Sequence, residues 1–218
     1  MKRLAALLCA LVLLAALAAA AADDSEANEN RTLVDGSTCR NYMPPVPGGN
    51  MVYDDGFLSF RCPAEMTVTL AYGAEYDAYA YMLNLPRTPE YNRNLAERNG
   101  KPVEDTDEPY NLLYFSIWKP EMLAAVMGTD DLEELSRRTT LSDAEFGTRT
   151  ISSVTAYYRR VKSNSPAFVD YITYCYFRLP AGGIVELCTS ENSLNADVMD
   201  LVLDSMQMGD ISRLVSWK

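Results

Sequence analysis

The chain contains no histidine, and this limits the chemistry that its other reactive side chains can perform. Serine and cysteine nucleophiles usually need a histidine base, so the common catalytic triads and dyads are excluded. A zinc site that mixes histidine and cysteine ligands is excluded for the same reason. The 30 aspartates and glutamates could still supply two carboxylates at the spacing that glycoside hydrolysis requires. Because the histidine-dependent classes are excluded, we expect a non-catalytic protein with no catalytic residue, cofactor or metal site. A carboxylate-dependent secreted hydrolase of the glycosidase type is the alternative.

Four cysteines downstream of the N-terminal segment are the disulfide candidates: Cys39, Cys62, Cys175 and Cys188. None belongs to a Cys-x-x-Cys motif, and an even number in an exported chain favours structural disulfides. If residues 180–183 form a β-hairpin loop of two or four residues, Cys175 and Cys188 face each other at a Cα separation of about 4.5 Å. The sequence therefore predicts that Cys175 pairs with Cys188, and Cys39 with Cys62. A three-residue loop would instead send Cys175 and Cys188 to opposite faces of the sheet.

An acidic cluster, Glu-Asp-Thr-Asp-Glu, occupies residues 104–108. Hard cations such as calcium bind several carboxylate and carbonyl oxygens that converge from a flexible loop. The cluster lacks the glycine and the distal glutamate of an EF-hand loop, so we favour a solvated acidic loop over a cation site.

The chain has 14 tyrosines, among which Tyr79 and Tyr81 alternate along the sequence. Tyrosine offers an apolar ring and a polar tip, so this pair could line a surface that stacks on sugars or on an extended peptide. Strands are also enriched in tyrosine for packing reasons alone. We favour the packing role, with both side chains half-buried at the rim of a sheet.

The N-terminal segment has the features of a secretory signal peptide. Lys2 and Arg3 precede an apolar run over residues 4–17, and alanines occupy residues 18–22 before Asp23. These are the basic, apolar and small-residue regions of a cleavable signal. We predict a mature protein that begins at or near Asp23 and is secreted to an extracellular, periplasmic or cell-envelope location.

Composition divides the chain into a signal peptide over residues 1–22, a leader over residues 23–50 and one domain over residues 51–218. The leader combines a disordered acidic stretch with a proline- and glycine-rich arm. The net charge of −11 repels phosphate backbones and anionic membranes. We expect the partner to be an extracellular or envelope protein or a glycan, with no nucleic acid and no membrane after signal cleavage.

The periodicity of apolar residues predicts the elements of this domain. Alternation predicts strands at residues 57–62, 66–71, 110–118, 148–161, 169–177 and 184–189. Helical patterns and caps occur at residues 122–127, 130–138 and 195–208, with Asp130 and Asn195 as expected N-caps. Residues 86–109 could hold one helical turn, but we favour a long excursion at the rim of the sheet. The predicted fold class is α+β, a mainly antiparallel β-sheet of about five to seven strands flanked by helices on both faces.

Several short strings in this order resemble PsbP-like domains. They are Gly-Phe-Leu-Ser-Phe-Arg-Cys-Pro at residues 56–63, Leu-Glu-Glu-Leu-Ser at 132–136, Thr-Ile-Ser-Ser-Val-Thr-Ala-Tyr-Tyr at 150–158, and the hairpin and helix over 171–208. The family includes the extrinsic subunit of the photosynthetic oxygen-evolving complex and exported bacterial proteins of unknown role. The resemblance, here to the exported branch, implies an antiparallel sheet between helices. It also implies a binding or accessory role, and it supplies no functional residues.

Overall fold

The computed structural model describes residues 31–32, 38–43, 50–73, 78–103, 108–164, 167–180 and 182–210. The strands are β1 Arg31–Thr32, β2 Thr38–Met43, β3 Asn50–Asp54, β4 Leu58–Pro63, β5 Thr67–Gly73, β6 Ala78–Leu85, β7 Tyr110–Trp118, β8 Glu145–Ile151, β9 Val154–Lys162, β10 Tyr171–Arg178, β11 Ile184–Glu191 and β12 Gln207–Met208. The helices are α1 Pro89–Asn99, α2 Pro120–Met127, α3 Leu132–Ser136 and α4 Ala196–Ser205. None of these helices has the length and apolar character needed to cross a membrane.

The strands form two antiparallel sheets. The larger sheet has the order β1-β2-β5-β6-β7-β11-β10-β9-β8, and the smaller has the order β12-β4-β3. The predicted α+β class with a mainly antiparallel sheet is confirmed, although the large sheet has more strands than expected. The segments predicted at residues 57–62 and 66–71 join different sheets rather than one, because the turn between them carries the chain from the small sheet to the large one.

The large sheet buries side chains on both of its faces. On the face that we call the front, Phe115 and Leu187 pack with Phe60 of the small sheet and Val202 of α4 in one core. The residues that alternate with these along each strand form the back face, where Tyr176 and Ile184 pack with side chains of α2 and α3. Helices thus flank the sheet on both faces, as the sequence predicts.

The strand predicted over residues 148–161 is a hairpin of two strands. Ser152 and Ser153 have φ angles of 51° and 64°, and they connect Ile151 to Val154. Positive φ at both central residues is the geometry of a type I′ two-residue turn, whose twist matches that of the flanking strands. Because β8 pairs with β9 in this way, it reaches the outer edge of the large sheet.

Helix α1 occupies part of the stretch that was expected to form an excursion, and that expectation is wrong. Thr88 caps the helix by accepting a hydrogen bond from the backbone N–H of Tyr91 at 3.1 Å. Proline follows the cap, and Gly100 ends the helix in the left-handed region at φ 61°. Tyr91 and Leu95 anchor it against Phe168, so burial of one face stabilises an otherwise polar helix.

Of the two predicted N-caps, one is displaced by one residue and the other keeps its position without a side-chain capping bond. Asp131, rather than Asp130, accepts the capping hydrogen bond of α3, from the N–H of Glu134 at 2.9 Å. Asn195 is the N-cap residue of α4, as predicted, but its side chain accepts a hydrogen bond from the N–H of Asn192 and donates one to the carbonyl of Ser190 in β11 instead of capping the helix. The large sheet also begins upstream of residue 51, the expected start of the domain, because β2 pairs with β5.

Candidate functional site

A polar groove lies on the front face, beside the part of the sheet that α4 and the small sheet cover. It has a volume of about 520 Å³ and is lined by Thr148, Arg149, Thr150, Tyr158, Arg160, Thr173, Glu191 and Asp204. A smaller pocket of about 110 Å³ adjoins it between α4 and the strands, lined by Arg149, Thr173, Cys175, Thr189, Glu191, Ala196, Met199, Asp200 and Leu203. The larger volume is within the usual range of small-molecule sites. We call the two together the front groove.

Strand alternation places most of the groove side chains on one face. Arg149 of β8 pairs with Ala156, a core residue of the front face, and Tyr158 and Arg160 follow at intervals of two. Thr173 of β10 lies directly opposite Arg160 in the ladder. The groove thus combines side chains from neighbouring strands that are distant in the sequence.

Arg160 is the most firmly held cation of the front groove. Its Nη2 lies 2.7 Å from Oε1 of Glu191, and its Nε lies 3.4 Å from Oε2 of the same carboxylate. Its Cζ lies 3.5 Å from the ring centroid of Tyr171, and Glu145 is a second anion at 3.6 Å. The two-point contact and the stacking fix the plane of the guanidinium before any ligand binds.

Arg149 forms the opposite side of the groove. It is paired with Asp204 of α4 at 3.6 Å, and Asp200 lies one turn earlier on the same helix. Positively charged guanidinium groups and negatively charged carboxylates therefore alternate around the groove, so its electrostatic potential is not of one sign. Such alternation suits a neutral ligand with both donors and acceptors better than a strongly charged one.

Tyr158 provides an aromatic wall that depends on a glycine. A Cβ atom at Gly147 would lie 2.7 Å from Oη of Tyr158 and 2.8 Å from two ring carbons. The ring therefore lies against the bare backbone of the neighbouring strand, where any other residue would displace it. A glycine inside a strand often marks such a close approach, so Gly147 was the sequence signal that could have located this site.

The back face holds a separate buried carboxyl group, Glu186. It accepts a hydrogen bond from the Tyr176 hydroxyl at 3.0 Å. Burial raises the pKa of Glu186, and the nearby charge of Arg159 opposes that rise. Glu186 and Glu191 are on opposite faces of β11, so they do not form the carboxylate pair that a glycosidase requires.

The register predicted for the hairpin of β10 and β11 is wrong by one residue. Cys188 lies opposite Tyr174, and Cys175 lies opposite Leu187. The loop has three residues, 180–182, closed by a hydrogen bond from Leu179 N–H to the Gly183 carbonyl. Cys175 and Cys188 therefore point to opposite faces, and the disulfide predicted between them loses its geometric basis.

The cysteine side chains that the structure describes are buried thiols. Burial raises the pKa of Cys175 and of Cys188 to about 12, and that of Cys62 to about 11. Thiols with such values are scarcely ionised at neutral pH and make poor nucleophiles. Cys39 lies opposite Ala71 in the ladder of β2 and β5, and its pairing with Cys62 stays a prediction.

We expect these three thiols to resist alkylation in the folded protein. Iodoacetamide at neutral pH should leave Cys62, Cys175 and Cys188 unmodified, because each is enclosed and protonated. In denaturant the same reagent should modify Cys175 and Cys188, and a Cys62 that stays unmodified there would indicate its predicted disulfide with Cys39, as peptide mass mapping would show. A disulfide-linked peptide containing Cys175 and Cys188 under non-reducing conditions would contradict the observed register.

The tyrosines that could have lined a binding surface lie in the core. Tyr79 and Tyr81 are 6% and 0% exposed, so the surface hypothesis is wrong for both. The expected position at a sheet rim is also incorrect, because β6 is an inner strand between β5 and β7. In the acidic cluster, residues 104–107 lie outside the described residues, and Glu108 is 4.0 Å from Arg87. Across the described ranges, no group of three potential metal ligands is placed to hold an ion.

Comparison of the chain with family models, with curated proteins and with solved structures gave no match. The resemblance to PsbP-like domains stays a prediction from the sequence.

Proposed function

We propose that the protein is a non-catalytic binding module whose front groove binds a neutral, polyhydroxylated ligand such as a glycan. The observation that carries this proposal is the fixed Arg160, held by Glu191 and Tyr171 within a groove that Tyr158 walls. Vicinal hydroxyl groups both donate and accept hydrogen bonds, and an arginine beside a carboxylate offers the complementary pair. The tyrosine ring offers an apolar face for the C–H side of a sugar.

The charge arrangement supports a neutral ligand. Arg149 and Arg160 are each paired with a carboxylate at the groove, which reduces the attraction for phosphate or polyanions. The Thr173 hydroxyl, on the same face as Arg160, adds a further polar group without charge. Export behind the predicted signal peptide would bring this groove into contact with extracellular or envelope glycans, which agrees with the expected partner class.

We expect isothermal titration calorimetry with a panel of neutral oligosaccharides to detect binding by the groove. Arg160→Ala should weaken that binding at least about tenfold. It removes the charged donors of the groove and leaves the Glu191 carboxylate without the guanidinium that holds it in place. Arg178→Ala is the matched control, since Arg178 is also a strand arginine in an ion pair, at 3.1 Å from Asp130 on the back face. That control should bind as the wild-type protein does.

A second pair of variants tests the aromatic wall. Tyr158→Ala should weaken binding to a similar extent, whereas Tyr157→Ala, which alters the adjacent residue on the opposite face of β9, should not. Equal effects of both tyrosine variants, or binding that withstands Arg160→Ala, would contradict the groove as the site. Release of shorter oligosaccharides during the titration would favour the carboxylate-dependent hydrolase instead.

A further inference from the structure

Strand β8 is a long, regular strand at the edge of the large sheet. Within the described residues it pairs on one side only, with β9, in unbroken register from Glu145 to Ile151. It contains no proline and no bulge, which are common devices that keep edge strands from pairing further. The strand at the opposite edge, β1, has only two residues. The edge formed by β8 therefore has the length and regularity needed to accept another strand.

The turn after β8 fixes which backbone groups face outward. Ile151 and Val154 flank the two-residue turn and form the first hydrogen-bonded pair of the hairpin. Hydrogen-bonded and non-hydrogen-bonded pairs alternate along an antiparallel ladder. The N–H and C=O groups of Phe146, Thr148 and Thr150 therefore point away from β9, toward the open edge.

The charged residues of β8 are arranged symmetrically about Gly147. Glu145 lies two residues before it and Arg149 two residues after it, both on the front face. If a second β8 pairs antiparallel with Gly147 opposite Gly147, each Glu145 lies opposite an Arg149 of the other copy. Registers centred on Glu145 or on Arg149 place like charges opposite each other, which is unfavourable. The strand is thus self-complementary in charge in one register.

The same register satisfies the backbone. It sets Phe146 opposite Thr148, and both residues have outward-facing groups, so the two chains can form about four main-chain hydrogen bonds. Glycine at the centre presents no side chain between the chains. The 40% exposed Phe146, one of few large apolar side chains at the surface of the described ranges, is partly covered by this pairing.

We propose that two copies of this chain associate through β8, antiparallel and centred on Gly147, so that their large sheets become one continuous sheet. The two-fold axis then passes between the two Gly147 residues, each of which supports a Tyr158 ring. The front grooves of the two copies share an edge and face the same side of the sheet. A dimer of this kind presents two groove sites to a long or repeating ligand.

Charge exchange gives a test specific to this register. Glu145→Arg alone places two arginines opposite each other at both ends of the paired strands, and Arg149→Glu alone does the same with glutamates. The dissociation constant of each variant's homodimer, measured by sedimentation velocity, should therefore be at least about tenfold larger than that of the wild-type dimer. An equimolar mixture restores both unlike pairs, so we expect it to form a heterodimer as stable as the wild-type dimer. Matching circular dichroism spectra show that each variant is folded.

A backbone variant tests the hydrogen bonding independently of charge. Thr148→Pro removes an outward-facing N–H that makes no bond to β9, so the hairpin should remain while the dimer is lost. Thr148→Val keeps that N–H and should keep the dimer. A wild-type protein that stays monomeric at 100 μM or more would overturn the proposal, as would a charge-exchange mixture that remains monomeric. Oligosaccharide binding by a monomer would leave the proposed function intact while this inference fails.

Discussion

We expect Asp55→Ala to lower the free energy of unfolding by about 3 kcal/mol. The Asp55 carboxylate accepts four hydrogen bonds: from the hydroxyls of Tyr53 at 3.0 Å and Tyr81 at 2.6 Å, and from the N–H groups of Phe57 at 2.9 Å and Leu58 at 2.7 Å. These bonds connect the end of the small sheet to an inner strand of the large one. Alanine would leave the Tyr81 hydroxyl without this acceptor inside the core.

Tyr81 makes this loss costly because its side chain is fully buried. Burial raises the pKa of Tyr81, so its phenol stays protonated and remains a donor. Tyr81→Phe should therefore destabilise the protein less than Asp55→Ala, and the double variant should show coupling of about 1 kcal/mol or more. Urea denaturation followed by circular dichroism measures all three variants.

Asp54→Ala is the matched control for this prediction. Asp54 is exposed and accepts a hydrogen bond from Gly56 N–H at 2.8 Å within its own turn. Its replacement should change the unfolding free energy by less than about 1 kcal/mol, because water can replace a local exposed bond. Equal losses for Asp54→Ala and Asp55→Ala would contradict the role of Asp55 in joining the two sheets.

We expect Arg159→Met to cost about 3 kcal/mol of unfolding free energy by a different route. Arg159 is 9% exposed, and its guanidinium donates to the carbonyls of Leu135 and Ser136, each at 3.4 Å, and of Arg138. It also lies over the Tyr174 ring, with Cζ 4.5 Å from the centroid. Methionine fills part of the space but leaves the carbonyls at the end of α3 without this donor.

The pH dependence of the Arg159 variant separates a charge effect from lost packing. The Arg159 charge opposes the rise in the Glu186 pKa, so its removal should raise that pKa further. A carboxyl group whose folded-state pKa is raised lowers stability as the pH rises through that pKa. The loss of unfolding free energy caused by Arg159→Met should therefore be smaller at about pH 4, near the ordinary glutamate pKa, than at about pH 7.

Arg137→Met is the control for the loss of a cation near α3. Its ion pair with Glu133 spans 3.1 Å, and both side chains are more than half exposed. Such pairs contribute little in water, so the variant should lose less than about 1 kcal/mol and should show no matching pH dependence. If the deficit of Arg159→Met does not depend on pH, Arg159 acts through packing and carbonyl capping alone.

The sequence alone determined the features that depend on a few neighbouring residues. The strand predicted at residues 110–118 matches β7, because its side chains are apolar on both faces and an inner strand requires that pattern. The end of α2 at Gly128 was also predicted, and that glycine adopts φ 79°. Helix α1 was missed even though Thr88, Pro89 and Gly100 carry its caps, because its sequence is too polar to show an apolar face.

The tertiary structure decided which strands pair, in which register, and what they bring together. The sequence predicts both strands of this hairpin, but the loop between them has three residues rather than two or four, and that difference places Cys175 and Cys188 on opposite faces. The front groove joins Arg149, Arg160 and Glu191 from three strands and Asp204 from a helix, and none of these residues belongs to a recognisable motif. Periodicity and caps follow from the backbone of adjacent residues, whereas register and sheet membership depend on hydrogen bonds between residues far apart in the chain.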